Sequence, residues 1–310
     1  MANLAVIKNR IKSVKSTEKI TRAMQMVAAS KVKKSEKKAK DGRPFTLRLV
    51  TMFADLVKQV GTIPPPDLQI KKAIDNYQML LNRRPIDTVG ILVITSNKGL
   101  AGAYNANIVR HTLKKIKEYN EKNIAVHLYI VGIKGISMLK NKIEKMNAQI
   151  VMEYTEFLQE PNAGQAQIIV EDMAEALITD KIDTIEVIFT TFRNMMSYNV
   201  EDFRLLPFEP DSADILKKDE VESKYNMEMT FEPSIYEILQ KVVPMVLTNT
   251  IYHALLEATA SELASRMTAM STACKSANEM IERLSVIYNK ARQSAITNEI
   301  IEVVSGANAV

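Results

Sequence analysis

From Met245 to Ser305 the chain contains neither glycine nor proline. Within that stretch Leu256, Ala260, Leu263, Met267, Met270, Cys274, Ala277, Ile281, Leu284, Tyr288, Ala291 and Ala295 fall at alternating steps of three and four. Twelve successive positions obey the heptad rule and none is charged, which is the pattern of a coiled-coil seam. A continuous helix of 61 residues is about 90 Å long. A compact body of 310 residues has a radius of gyration of only roughly 19 Å. The sequence therefore predicts a helix that projects from its body and needs a partner for its apolar stripe.

The other end of the chain supplies one. Residues 1–41 also lack Gly and Pro, and Leu4, Ile7, Ile11 and Val14 place an apolar stripe on a helix. The stripe then reads as shifting to Ile20, Ala23, Met24 and Val27. Gly42 and Pro44 read as an interruption rather than an end, because Leu47 to Val60 is again helix-like. Gly61 and Pro64-Pro65-Pro66 end it. An intervening domain would let the two terminal helices pair antiparallel.

Charge is unevenly spread. Residues 1–41 hold twelve Lys or Arg and three acids, although the whole chain carries only +5. Such a block suits an acidic partner, an anionic membrane surface or nucleic acid. No aromatic residue precedes Phe45, so nothing in the block can stack on a base. The single cysteine, Cys274, excludes an internal disulfide framework and a multi-cysteine zinc site. Three separated histidines, His111, His127 and His253, argue against a metal enzyme.

The middle of the chain has a different rhythm. Thr88–Thr95 is a continuous apolar run, as in a parallel strand covered on both faces. Strand-like segments at Ala125–Val131, Ala148–Tyr154 and Thr184–Phe192 alternate with helical ones at Asn105–Lys122, Ile133–Lys145 and Ala163–Asp180. Val200–Leu206 reads as a return strand. The fold class is α/β: a long antiparallel coiled coil of the N- and C-terminal helices plus a central Rossmann-like α/β domain. The expected divisions are a coiled-coil helix over 1–60, a linker over 61–85, the α/β domain over 86–208, an acidic connection over 209–240 and the second coiled-coil helix over 241–310.

The outer face of the C-terminal helix is short of charge. Residues 245–304 carry five basic and six acidic side chains. Flanking positions hold Thr259, Ser261, Ala264, Ser265, Thr268, Ser271, Thr272 and Ser276, where a solvated coiled coil places Glu and Lys. Local composition bias would account for this; the sharper reading is that another protein encloses the rod with few fixed ion pairs.

Chemistry-bearing motifs are sparse. The turn Ser96-Asn97-Lys98-Gly99-Leu100-Ala101-Gly102-Ala103-Tyr104-Asn105 lies between a strand and a helix, where a phosphate could rest on a helix N-terminus. It lacks the spacing of a dinucleotide fingerprint or a phosphate loop. Gly132-Ile133-Lys134-Gly135 has the same ambiguity. An α/β nucleotide-binding enzyme with a coiled-coil oligomerisation arm is therefore the alternative reading, and a coiled-coil nucleic-acid binder a further one. No catalytic residue, cofactor or metal is expected.

Two end motifs carry a resemblance. Lys19-Ile20-Thr21-Arg22-Ala23-Met24-Gln25-Met26-Val27-Ala28-Ala29-Ser30-Lys31 resembles the first helix of the gamma subunits of F-type rotary ATP synthases. Tyr288-Asn289-Lys290-Ala291-Arg292-Gln293-Ser294-Ala295-Ile296-Thr297-Asn298-Glu299-Ile300-Ile301-Glu302, closing with Ser305-Gly306-Ala307, resembles their C-terminal signature. The resemblance implies a non-catalytic central shaft, one copy per complex, inside a ring of alpha and beta subunits. It implies a foot domain that meets the epsilon subunit and the membrane-embedded c-ring, with no nucleic acid as partner. It places Met24 and Arg266 near a moving acidic segment of beta, and Arg292, Gln293, Thr297 and Glu299 against the collar of the alpha/beta ring. The family pattern begins within the first few residues, leaving no room for a transit peptide. A paired-thiol switch needs two cysteines, and only Cys274 is present. Together these imply a bacterial complex, with this chain peripheral on the cytoplasmic face of the cell membrane.

Overall fold

The structure, a computed structural model, describes residues 2–60, 85–157, 160–207 and 235–307. The expected linker, apart from Pro85, and most of the acidic connection lie outside them. The elements in chain order are α1 (Ala2–Val60), β1 (Thr88–Ile94), α2 (Tyr104–Asn120), β2 (Ala125–Val131), α3 (Ile133–Ile143), β3 (Ala148–Tyr154), α4 (Ala163–Ile178), β4 (Thr184–Asn194), β5 (Ser197–Leu206) and α5 (Ile235–Ala307). The chain divides into two units, one of Met1–Lys31 with Arg266–Val310 and one of Val32–Ser265.

The larger unit is built on a five-stranded sheet of order β3-β2-β1-β4-β5. β1 to β4 are parallel and β5 returns antiparallel on β4, with Val187 opposite Phe203. Strands alternate their side chains between faces, so each continuous apolar run feeds two cores. Val89, Ile91, Val93, Leu128 and Ile130 pack with α2 and α3 through Tyr104, Ile108, Ile116 and Leu139. Leu92, Ile94, Val131, Val187 and Phe189 face the other way. That second core takes α4, the end of α1 through Leu49, Val50, Phe53 and Leu56, and the start of α5 from Val242 to Ala258.

Local chemistry sets the helix boundaries. At α4, Asn162 accepts from the Gln165 amide at 2.9 Å while the Gln165 side chain accepts from the Asn162 amide at 3.2 Å. This reciprocal cap satisfies two donors that the first turn leaves open. At α3 the preceding Gly132 sits at φ +100°, and a Cβ there would lie 2.7 Å from the Thr95 carbonyl oxygen.

Both long helices run through prolines. α1 contains Pro44 and α5 contains Pro244, each removing one intrahelical donor. Apolar burial on both sides holds the helices together: Ala39, Leu49 and Phe53 around the first, Val242, Val243 and Val246 around the second. α5 accordingly begins at Ile235, within the stretch expected as an acidic connection. Inside the larger unit α1 and α5 are antiparallel. Asn249 donates to Thr46 at 2.8 Å, and Val32 packs with Leu263 and Ala264.

The smaller unit is a pair of helical ends. On α5, Met270, Cys274 and Ala277 are buried and Met267, Ile281, Leu284, Tyr288, Ala291 and Ala295 half-buried. On α1 the covered positions include Leu4, Ile7, Ile11, Val14, Glu18, Thr21, Gln25 and Ala28, with Met24 and Ala29 half-buried beside the last two. Of the expected shift to Ile20, Ala23, Met24 and Val27 only Met24 is half-buried: Ala23 is exposed, and Ile20 and Val27 are each 58% exposed. The step of three and four continues through polar residues because their polar atoms are satisfied. Glu18 accepts from Arg22 at 2.8 Å and from Cys274 at 3.5 Å, and Thr21 donates to the Glu18 carbonyl.

Gly132→Ala should cost the larger unit about 2 kcal/mol, because the new methyl meets backbone and the left-handed φ is retained. Urea-gradient proteolysis would show the loss as an earlier midpoint.

Candidate functional site

In an open sheet whose strand order reverses, ligands bind outside the carboxyl ends of the strands at the point of reversal. Here that point lies between β1 and β4, since α2 leads from β1 to β2 while β4 joins on the other side. The residues at this point are Thr95 to Ala103 after β1 and Thr190 to Phe192 in the last part of β4. The sequence offered the first of these as a possible phosphate cradle. Its Ser96 amide donates to the Asn105 side chain at 3.0 Å, and the Asn105 amide group donates to the Ser96 hydroxyl at 2.8 Å. Leu100 at φ 63° and Gly102 at φ 57° flank the buried Ala101.

What fills the crevice is α5. Ser265 donates to the Ala101 carbonyl at 2.7 Å, and Tyr104 donates to the Ala258 carbonyl at 3.0 Å. The Tyr104 hydroxyl also meets Thr190 Oγ1 at 3.2 Å. Glu257 accepts from the Phe192 amide at 2.8 Å, and Ser261 reaches the Thr190 carbonyl at 3.5 Å. Glu257, Ser261 and Ser265 are spaced by four, so they form one ridge of the helix. Small residues make the approach close: Ala258, Ala260, Ser261 and Ala264 are each buried to 3% exposure or less.

This corrects the reading of the uncharged outer face. Thr259, Ser261, Ala264 and Ser265 lie against the chain's own domain, with Thr259 bonded back to the Leu255 carbonyl. Thr268, Ser271, Thr272 and Ser276 are exposed. A flat run of small side chains is what a helix needs to approach a sheet edge, and it does not by itself require a foreign sleeve.

Buried ionisable groups surround this contact. Burial pushes the His253 imidazole down to about 4, with the Arg43 charge adding to the effect and a bond to the Ala39 backbone opposing it. His253 Nε2 has no hydrogen-bond partner, and Glu257 stands 3.9 Å away. That separation is too long for a hydrogen bond, and a neutral imidazole makes no ion pair. On the opposite face of the sheet, α2 presents His111 and Lys115 to Asp202 of β5 at 2.7 and 2.5 Å. Burial raises the Asp202 carboxyl, but hydrogen bonds from Lys115 and His111 outweigh it and hold the group below the usual carboxylate range. Tyr119 donates to Glu186 at 2.5 Å beside Arg204. These pairs lock α2 to the sheet and present no open site. Among the described residues no cluster of His, Cys, Asp and Glu is arranged for a metal.

A family model described as ATP synthase matches residues 3–310. The ATP synthase gamma chain of Synechococcus sp. (strain JA-3-3Ab) is 37% identical over 331 residues, with all of both chains covered. That of Psychrobacter arcticus is 34% identical over 310 residues, again with full coverage of both. The chain belongs to the ATP synthase gamma chain family. Among solved structures, a chain of the Tetrahymena thermophila mitochondrial ATP synthase central stalk and c-ring superposes with a TM-score of 0.56 at 26% identity, covering 82% of this chain and 99% of that one. A chain of the Euglena gracilis mitochondrial ATP synthase shares the fold, with a TM-score of 0.65 at 16% identity over 99% of this chain and 94% of that one. As a gamma chain the protein is the central rotor shaft of an ATP synthase, and no helix among the described residues is long and apolar enough to cross a membrane.

The gamma-chain residues expected to meet partners are placed as follows. Met24 and Arg266 are half-buried, while Arg292, Gln293, Thr297 and Glu299 are exposed. Thr297 donates to the Gln293 carbonyl at 2.9 Å. Sequence reasoning missed the bonds from Tyr104 to Ala258 and from Ser265 to Ala101 that seat α5. A tyrosine opening a helix and a serine among many serines carry no pattern of their own.

His253 keeps its imidazole neutral in the fold down to about pH 4, whereas in the unfolded chain it charges near 6.5. The unfolded state then binds the extra proton, so stability should fall as pH drops from 6.5 toward 4, by up to about 3 kcal/mol. Denaturation midpoints across that window should show a shallower slope for His253→Gln.

Proposed function

We propose that this gamma chain is a non-catalytic shaft that takes torque from a membrane c-ring and imposes it on an alpha/beta hexamer. The α/β domain serves as the foot, with epsilon and the c-ring as its neighbours. The paired helical ends work inside the hexamer. ATP forms on other subunits. The observation that carries this reading is the filled crevice. Where a related α/β enzyme would open a ligand site, this chain seats its own helix, through Ser265 on Ala101 and Tyr104 on Ala258.

Other features support it. Ile20, Met26 and Val27 of α1 stay exposed beside Met24, an apolar surface with no partner in the chain's own seam. Basic residues flank them, including Lys19, Arg22 and Lys31, which suits an acidic segment of beta. On α5, Arg292, Gln293, Thr297 and Glu299 lie among the exposed Ile296, Ile300 and Ile301, as a collar contact needs. Moving one charge across 100 mV supplies about 2.3 kcal/mol. Several ion steps must therefore be summed for each ATP, and a stiff rod can store and deliver that sum. We place the complex on the cytoplasmic face of a bacterial membrane, with this chain held there through the c-ring.

Mass spectrometry of a tagged chain purified from its own cells should find alpha, beta and epsilon. Recovery of the chain free of them would contradict the assignment. Leu284→Asp puts a charge in the half-buried seam and should weaken the helical pair by about 1–3 kcal/mol. Proton-driven synthesis should fall with it, and normal synthesis by the variant would count against the shaft. Met24→Lys should loosen coupling more than it slows hydrolysis, and equal losses of both would argue against the assigned contact.

A further inference from the structure

A shaft must receive torque from its foot without slipping about its own axis. Apolar packing resists separation but is a poor guard against rotation where the packed residues are small. α5 crosses the strand ends on such residues, with Ala258, Ala260, Ser261 and Ala264 all at 3% exposure or less. The one large apolar side chain among them, Leu263, packs with Phe192 and Met195 at the far end of β4. Directional bonds add what this packing lacks. Along the ridge, Glu257 holds the Phe192 amide at 2.8 Å and Ser265 holds the Ala101 carbonyl at 2.7 Å. Between them, Tyr104 reaches from the start of α2 to the Ala258 carbonyl at 3.0 Å while touching Thr190 at 3.2 Å.

The bonds come from three separate pieces of the domain: the loop after β1, the first turn of α2 and the end of β4. The loop is tied to α2 by Ser96 and Asn105, the Tyr104 ring packs edge-on against Tyr198 of β5 at 5.5 Å, and the end of β4 is paired with β5. Bonds from three anchored pieces to successive turns of one helix fix its azimuth as well as its height. Tyr104 is fully buried, so its bond competes with little water.

We propose that this ridge is where torque passes between the α/β domain and the long helix, with Tyr104 and Ser265 as positioning residues that set torsional stiffness. The proposal rests on the rotor reading above. Tyr104→Phe keeps the ring and its packing and removes only the hydroxyl. Ser265→Ala removes the second bond, and Ser265→Thr keeps a hydroxyl in place.

The test uses the assembled complex with the hexamer immobilised and a bead on the foot at Met196→Cys, a position 87% exposed on the β4–β5 turn. Angular variance of the bead is measured while the motor pauses. With Tyr104→Phe and Ser265→Ala combined, the variance should rise at least about twofold. Ion-driven synthesis should fall several-fold while unloaded hydrolysis stays close to that of the parent. Ser265→Thr in place of Ser265→Ala should return part of the stiffness. Unchanged variance overturns the proposal, and so does an equal loss of both activities with poor assembly, which marks a merely structural role. If the bead on the parent complex never turns under ATP, the rotor reading itself fails, a result distinct from a turning bead of unaltered stiffness.

Discussion

The seat of α5 across the strand ends is the contact on which the rest of the larger unit depends. It covers the second core, from Leu92 and Ile94 through Val187 and Phe189, which would otherwise lie open to water. It also determines what the domain can do. The same sheet order, with its crevice empty, would offer a ligand site; with Ala258, Ser261 and Ser265 in it, the crevice becomes a mechanical joint. The glycine-bearing turn after β1 then has a structural purpose. Its left-handed Leu100 and Gly102 flank the carbonyl of Ala101, which accepts from Ser265.

Much of this was legible in the sequence because the signals were periodic. The four parallel strands stand out as strand-like segments between helical stretches, with β1 a continuous apolar run, and the seam from Leu263 to Ala295 stands out as a heptad. Both follow from burial, which repeats with the geometry of the element. The stripe of α1 was misread where burial and polarity part company. Glu18 and Thr21 occupy seam positions because Arg22, Cys274 and the helix backbone satisfy their polar atoms. Ile20 and Val27 looked like the continuation only because they are apolar, and they face outward.

The small residues of α5 were misread for a related reason. A lack of charge signals that a surface is covered, but it does not say by what. Thr259, Ser261, Ala264 and Ser265 are covered by the chain itself, while Thr268, Ser271, Thr272 and Ser276 are exposed. Nothing in local sequence separates these two sets, because the distinction is set by contacts with residues more than sixty positions away. Individual bonds such as Tyr104 to Ala258 are invisible to periodicity for the same reason. The residues near the C-terminus that we propose face partners came from family resemblance alone, since exposed polar positions on a helix carry no internal signal.

The account stands or falls on the antiparallel pairing of the two chain ends, and that register can be measured directly. Glu18 and Cys274 are in contact at 3.5 Å, while Ile20 is turned away and 58% exposed. In the assembled complex, a Glu18→Cys variant treated with a short bis-maleimide should join to the native Cys274, seen as one intramolecular link by mass spectrometry of its peptides. Ile20→Cys should stay unlinked under the same treatment. Linking of position 20 in preference to 18, or of neither, would contradict the pairing.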